Sequence, residues 1–273
     1  GYPILGIWYW CTDQTIVQRV LGSRSEPDAQ HGALFAGLLK ITPVFIMVLP
    51  GVFGYVLFRD IIGNNANETL PIIIMNLIPV GIRGIIAAAL LAALMSTISA
   101  ALNSAATLVA IDIAKSIKPN LRDKAQVNIG RVSAVLIMIL AIIWSTQGGR
   151  YSSIFEAINA IGSDLAPPIT AVFLWGVLWK RGTKQAAIVT LISGFLMGIT
   201  AFILDLPLFG TKKIITEGLG IPFLMQAWWM FVICSIIYVT TSLLTPKPEP
   251  SKIEGLTWKS PKEILIGKRI TGI

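Results

Sequence analysis

Two hydroxyls and a backbone carbonyl stand together in the segment running through Leu94-Met95-Ser96-Thr97. Ala93, Ser96 and Thr97 are spaced i, i+3, i+4, so they share one face, a turn apart, if the segment is helical. The two hydroxyls and the spare lone pair of the Ala93 carbonyl offer three neutral oxygens to a small hard cation. By itself the pattern describes equally well hydroxyls that bond back to the preceding turn or pack against a neighbouring helix. Ionisable and amide side chains also interrupt other apolar stretches: Asp13, Lys40, Asn159 and Asp164. In a membrane such groups are costly and usually face a cavity or a partner. Asp13 is close enough to the end of its stretch to meet Arg19, and Asp164 has a structural partner as an alternative to a functional one. Lys40 is expected about two turns into its helix, turned toward a cavity, with snorkelling to the helix end as the alternative. Gly162, Pro167 and Pro168 accompany Asn159 and Asp164; a helix broken there would line a cavity, and a packing kink is the competing reading.

Other chemistries lack their residues. No G-x-x-x-x-G-K-[ST] loop is present to cradle phosphates, which disfavours an ATP-driven pump. His31 is the single histidine, and neither H-E-x-x-H nor G-x-S-x-G occurs, so no hydrolytic enzyme is expected. Cys11 and Cys234 are too few and too isolated for a disulfide framework or a metal knuckle.

The elements that must carry these residues are apolar and long. Hydrophobic residues make up 54% of the chain and charged residues 13%, against about 25% charged in soluble domains; mean hydropathy is +0.74. Spans of about 20 apolar residues, enough to cross a bilayer core, are expected at 33–57, 83–115, 128–145, 154–178, 184–204 and 221–244. They follow a first, partial helix ending near Gln18. Residues 1–245 thus read as a domain of about seven membrane helices and 246–273 as a polar, proline-bearing tail or linker. The stretch 68–82, interrupted by Pro71 and Pro79, is too short to span and return and reads as an interfacial or re-entrant helix. Asn67-Glu68-Thr69 forms a glycosylation triplet that arises easily by chance. Gly194 and Gly198 form a G-x-x-x-G suited to close helix packing.

The net charge of +8 does not imply nucleic acid, because the basic residues sit between the apolar spans rather than in one stripe. They alternate instead: the loops at Arg19, Lys115 and Lys180 and the tail are rich in Lys and Arg, whereas the opposite side holds only Arg59, Arg150, Lys212 and Lys213. The positive-inside rule places the richer set in the cytoplasm of a multi-pass cell-membrane protein.

Ordered blocks along the chain carry a resemblance. They are Trp8-Tyr9-Trp10-Cys11-Thr12-Asp13-Gln14 with Gln18-Arg19, Leu39-Lys40, Leu49-Pro50-Gly51, Pro79 to Gly84, Leu94-Met95-Ser96-Thr97, Leu102-Asn103-Ser104-Ala105 and Ala171 to Lys180. Together they resemble the sodium/solute symporter family, in its sodium/glucose cotransporter branch, over nearly the whole chain to about Leu244. The resemblance implies an all-α polytopic membrane protein, the C-terminal part of a five-plus-five inverted-repeat (LeuT-like) fold whose sites lie between broken helices. It implies that the chain starts in the sixth core helix, without the first repeat and its half of both sites. By the same resemblance, Tyr9 stacks on the sugar and gates its cytoplasmic exit, Trp10 is the neighbouring aromatic, and Lys40 reaches a sugar hydroxyl. Ala93, Ser96 and Thr97 correspond to a sodium site, sodium being the co-transported ion. Two positions depart from the sugar-transporting pattern: Asn159 stands where a glutamine is usual, and Gly6 where a polar side chain is frequent. The expected activity is sodium-coupled symport of a small solute, first a sugar such as glucose or galactose, with myo-inositol or sialic acid as alternatives. A solute sensor on the same fold is the alternative class. The partners implied are the solute and the lipid bilayer, with the oligomeric state left open.

Overall fold

The computed structural model describes residues 1–145, 154–205, 214–253 and 256–257. All regular structure among them is helical: α1 (Tyr2–Cys11), α2 (Gln14–Leu21), α3 (Glu26–Leu39), α4 (Leu49–Leu57), α5 (Arg59–Ile62), α6 (Thr69–Leu77), α7 (Val80–Thr107), α8 (Lys115–Ile117), α9 (Asp123–Ser145), α10 (Ile154–Leu178), α11 (Lys184–Leu204), α12 (Phe223–Leu244) and α13 (Pro250–Ile253). Short π-helical stretches at Val44–Val48 and Leu108–Ala114 join α3 to α4 and α7 to α8. Six resulting segments among the described residues are long and apolar enough to cross a membrane: Glu26–Leu57, Val80–Ile117, Asp123–Ser145, Phe155–Leu178, Lys184–Leu204 and Phe223–Leu244. These correspond to the six full spans expected from hydropathy.

The chain forms two compact units. One comprises Gly1–Asp13 with Ile158–Ile273, the other Gln14–Ala157. In the second, the most apolar windows of Glu26–Leu57 and Val80–Ile117 are 0% buried, so along these windows the hydrophobic side chains lie largely exposed. Helices of that kind belong inside a large core or in a bilayer. Within this unit α9 lies against α7, and buried Gly130 admits Ala106 and Ala110, which a Cβ there would meet at 3.7 and 3.8 Å. Within 68–82 the structure forms α6, which ends where Ile78 turns to extended backbone before Pro79. The Arg83 Nε–H donates to the Ile78 carbonyl at 2.6 Å across that corner. Gly54 of α4 leaves room for the Ile73 side chain of α6.

Two expected helices are interrupted. The first stops at Cys11, where the amides of Thr12 and Asp13 both donate to the Trp8 carbonyl at 2.9 and 3.1 Å. The Thr12 hydroxyl adds a bond to that carbonyl at 2.6 Å. A short polar side chain offering the backbone an alternative partner is a known cause of helix ends, and the chain restarts as α2. The second interruption follows Leu39. Pro43 has no N–H to give the Leu39 carbonyl, and the Thr42 hydroxyl donates to it instead at 2.7 Å. This span therefore begins at Glu26 rather than near Ala33, with Ser25 as its cap, accepting from the Asp28 amide at 3.3 Å.

The unit built from α1 and α10 to α12 is more tightly packed, with 39% of the apolar window of Phe155–Leu178 buried. Pro167 and Pro168 sit inside α10 without ending it. Of the two readings left open there, the structure shows the packing one: the helix is continuous through both prolines. Gly194 of α11 lies against the Pro168 ring and Gly198 against the Asp164 carbonyl, which Pro168 leaves without a backbone donor. The G-x-x-x-G thus works as a packing surface.

Candidate functional site

On α7 the structure places Ala93, Ser96 and Thr97 on one exposed face. The Thr97 hydroxyl donates to the Ala93 carbonyl at 3.0 Å, so the back-bonding expected of a helical threonine is present. The two oxygens remain about as far apart as neighbours in the shell of a hard cation bound at roughly 2.4 Å. The Ala93 carbonyl accepts both this hydroxyl and the helical Thr97 amide, so a cation reaching it would take the place of the hydroxyl proton; the Thr97 oxygen keeps lone pairs of its own.

Tyr9 and Trp10 close α1, their rings edge to face with centroids 5.8 Å apart and planes at 87°. Tyr9 is half-buried and Trp10 is exposed. Their helix is fixed from its other end: Ile4 and Leu5 are buried, and the buried Thr170 hydroxyl of α10 lies 3.1 Å from the Ile4 carbonyl and 3.0 Å from that of Ala166. Asn159, half-buried on α10, belongs to the same compact unit as Tyr9 and Trp10. Lys40, Ala93, Ser96 and Thr97 belong to the other unit.

Lys40 occupies the C-cap of α3, where the helix gives way to the Thr42-Pro43 turn. It lies roughly 21 Å along the helix from Glu26 at about 1.5 Å per residue, deeper than the two turns expected, because the helix starts earlier. Its side chain is exposed on its own unit. A groove of about 910 Å³ between α7 and α9, lined by Ser99, Asn103, Asp123, Gln126 and Arg131 among others, contains none of the seven candidate residues.

Two polar contacts were not anticipated. Asp164 and Gln226 are both buried, and the Gln226 amide donates to the Asp164 carboxyl at 2.6 Å. Asp164 therefore has a structural partner, on α12, 62 residues away. The other contact joins α2 to α7: the Gln18 amide donates to the Ser104 hydroxyl at 2.9 Å. Both residues stand in the motif blocks Gln18-Arg19 and Leu102 to Ala105, but no spacing rule pairs them.

A family model described as "Sodium:solute symporter family" matches residues 2–194. The bovine sodium/mannose cotransporter SLC5A10 is 34% identical over 282 residues, 94% of this chain and 47% of that protein. The human sodium/myo-inositol cotransporter 2 is 32% identical over 285 residues, covering 94% of this chain and 42% of its own length. The human sodium/myo-inositol cotransporter is 32% identical over 291 residues, 97% of this chain and 40% of that protein. The chain spans less than half the length of these curated relatives.

Proposed function

Because this chain belongs to the sodium:solute symporter family, and is accordingly an all-helical polytopic membrane protein, we propose that the whole protein drives uptake of a neutral polyhydroxylated solute with sodium. The observation that carries the reading is the family match; within it the hydroxyls of Ser96 and Thr97 stand with the Ala93 carbonyl on one exposed face of α7, where a cation would replace the bond that the Thr97 hydroxyl makes to that carbonyl. Neutral oxygens suit a hard monovalent cation that must also leave, since tight charged ligation would hold it. Ala93, Ser96 and Thr97 supply three oxygens, and the remaining ligands come from outside this unit.

On the solute side, Tyr9 offers an aromatic face to the weakly polar face of a sugar or cyclitol ring, with Trp10 beside it. Lys40 donates to a hydroxyl, and the Asn159 amide both donates and accepts. The relatives named for mannose and myo-inositol support a hexose or an inositol and give glucose no precedence. Sodium entry favours the solute-binding state, and Tyr9 closes the inner side until sodium leaves. One charge moved across the membrane is worth about 2.3 kcal/mol per 100 mV, enough for useful accumulation with a single sodium. The loops at Arg19, Lys115 and Lys180 and residues 246–273 face the cytoplasm in this reading, by the positive-inside rule. The test is competition: hexoses, inositol, sialic acid and amino acids against sodium-driven uptake by the whole protein in liposomes. Inhibition by hexoses or inositol supports the reading; inhibition by carboxylates alone overturns it.

A further inference from the structure

The connection from α10 to α11 is a tight turn that gathers positive charge. The Gly182 amide donates to the Trp179 carbonyl at 3.0 Å, which puts Lys180 and Arg181 at the tip, and Lys184 opens α11. Lys180 and Lys184 are exposed. Arg181 folds back on the end of α12, where its Nη2 donates to the Thr245 carbonyl at 2.9 Å, and its Nη1 is buried with no partner among the described residues. A carbonyl is neutral, so the guanidinium charge stays uncompensated. Neither lysine meets a carboxylate among the described residues. Thr183 caps α11, its hydroxyl accepting the Ala186 amide at 3.3 Å, which leaves the Lys184 and Gln185 amides as first-turn donors without a helical acceptor. No acidic residue stands in that first turn, so the positive end of α11 adds to the field of the side chains.

A separate feature of the same turn is Tyr238 of α12. Its side chain is 2% exposed. The hydroxyl lies against Gly182, where a Cβ would strike it, and 3.9 Å from where a Cβ on Gly176 would stand; the two glycines leave the slot that it enters. It has no hydrogen-bond partner among the described residues, a costly state for a phenol so enclosed. A donor without an acceptor, set against a turn of uncompensated cations, suits an anionic oxygen, and phosphate oxygens accept such charge-assisted bonds.

We propose that this turn binds the phosphate of an anionic phospholipid through Lys180, Lys184, the first amides of α11 and the Tyr238 hydroxyl, with Arg181 as a fixed neighbouring charge. The surroundings favour a lipid over a soluble phosphate. Trp175 and Trp179, with ring centroids 5.9 Å apart, end α10 as tryptophans do where a membrane helix meets the headgroup layer. Leu178, Leu243 and Leu244 beside the turn are 50%, 59% and 87% exposed, a surface for acyl chains next to the phosphate. All these residues belong to the unit formed by Gly1–Asp13 and Ile158–Ile273, and the site stands whether or not the symport reading does.

The experiment titrates the delipidated whole protein in detergent with dioleoyl phosphatidylglycerol, dioleoyl phosphatidylcholine or inorganic phosphate, and counts bound molecules by native mass spectrometry. One phosphatidylglycerol is expected to bind first and saturably. Lys180→Gln and Lys184→Gln should each weaken it about fivefold, the size expected for one basic residue at an anionic lipid surface. Lys118→Gln with Lys124→Gln, which removes two charges from the loop before α9, should leave it unchanged. Tyr238→Phe should also weaken it about fivefold, yet melt no lower than the wild type before lipid is added, because its hydroxyl has no partner to lose. Wild-type affinity in Tyr238→Phe would reduce the turn to diffuse surface charge and overturn the proposal. A lower lipid-free melting midpoint for that variant would place the hydroxyl's partner inside the protein and overturn it as well. Equal binding of phosphatidylcholine, or saturable binding of inorganic phosphate with no preference for the lipid, overturns the lipid assignment.

Discussion

Gly198→Ala tests the packing that positions α10, because the obstacle it meets is backbone. A Cβ at this position collides with the Asp164 carbonyl of α10 and approaches the Met230 methyl at 3.5 Å. The methionine end can swing away; the carbonyl belongs to a helix turn and cannot. The two helices must part, or α10 must rotate and disturb the 2.6 Å bond from Gln226 to Asp164. Overpacking of this kind costs about 1–3 kcal/mol. Alanine also returns about 1 kcal/mol of helix propensity, so the comparison belongs with a second Gly→Ala change that gains the same propensity without the clash. Gly162 on α10 provides it, since a Cβ there meets only the Leu5 Cδ2, at an ordinary 3.6 Å. Purified in one detergent, Gly198→Ala should therefore be less stable than Gly162→Ala by about 1–3 kcal/mol. For a chain of this size that lowers the unfolding midpoint by roughly 2–4 °C per kcal/mol. A Gly198→Ala protein that melts at or above Gly162→Ala would refute the α10–α11 contact.

Thr97→Ala removes one proposed cation oxygen and no solute contact; it should raise the sodium concentration for half-maximal uptake roughly tenfold, equivalent to about 1.4 kcal/mol, while Thr97→Ser stays near wild type in the same titration. Lys40→Gln keeps a donor and should weaken uptake of a neutral sugar only modestly, whereas a buried pairing with an anionic solute would cost about 3–5 kcal/mol; inhibition constants for inositol and sialic acid separate the two. Gln226→Leu strips the buried Asp164 carboxyl of its donor and should destabilise the protein by about 1–3 kcal/mol, visible as a lower detergent melting midpoint than that of the wild type.

The spans were legible because bilayer crossing demands long apolar runs, and that demand is written locally: 184–204 and 154–178 agree with α11 and α10 to the residue. Interruptions were less legible. Thr12-Asp13 and Thr42-Pro43 break their helices through specific bonds to the Trp8 and Leu39 carbonyls, a competition that hydropathy averages away. At Pro167-Pro168 residue types left a break and a packing kink equally open, and the structure shows a continuous helix with Gly194 against the Pro168 ring and Gly198 against the Asp164 carbonyl. For the candidate site, helical spacing sufficed to put Ala93 beside Thr97. Partners 62 and 86 residues apart, Gln226 with Asp164 and Gln18 with Ser104, follow from no periodicity, since either residue satisfies its pattern with any neighbour. The position of Lys40 along its helix was only partly legible, because it depends on where α3 begins, and the Ser25 cap starts that helix seven residues before Ala33.

The most direct test of the central claim is solute accumulation by the whole protein in proteoliposomes under an inward sodium gradient, with choline replacing sodium as the control. The account predicts that labelled mannose or myo-inositol rises above its external concentration, and that the rise collapses in choline and is strongly impaired in Thr97→Ala. Equal accumulation with sodium and choline would contradict it.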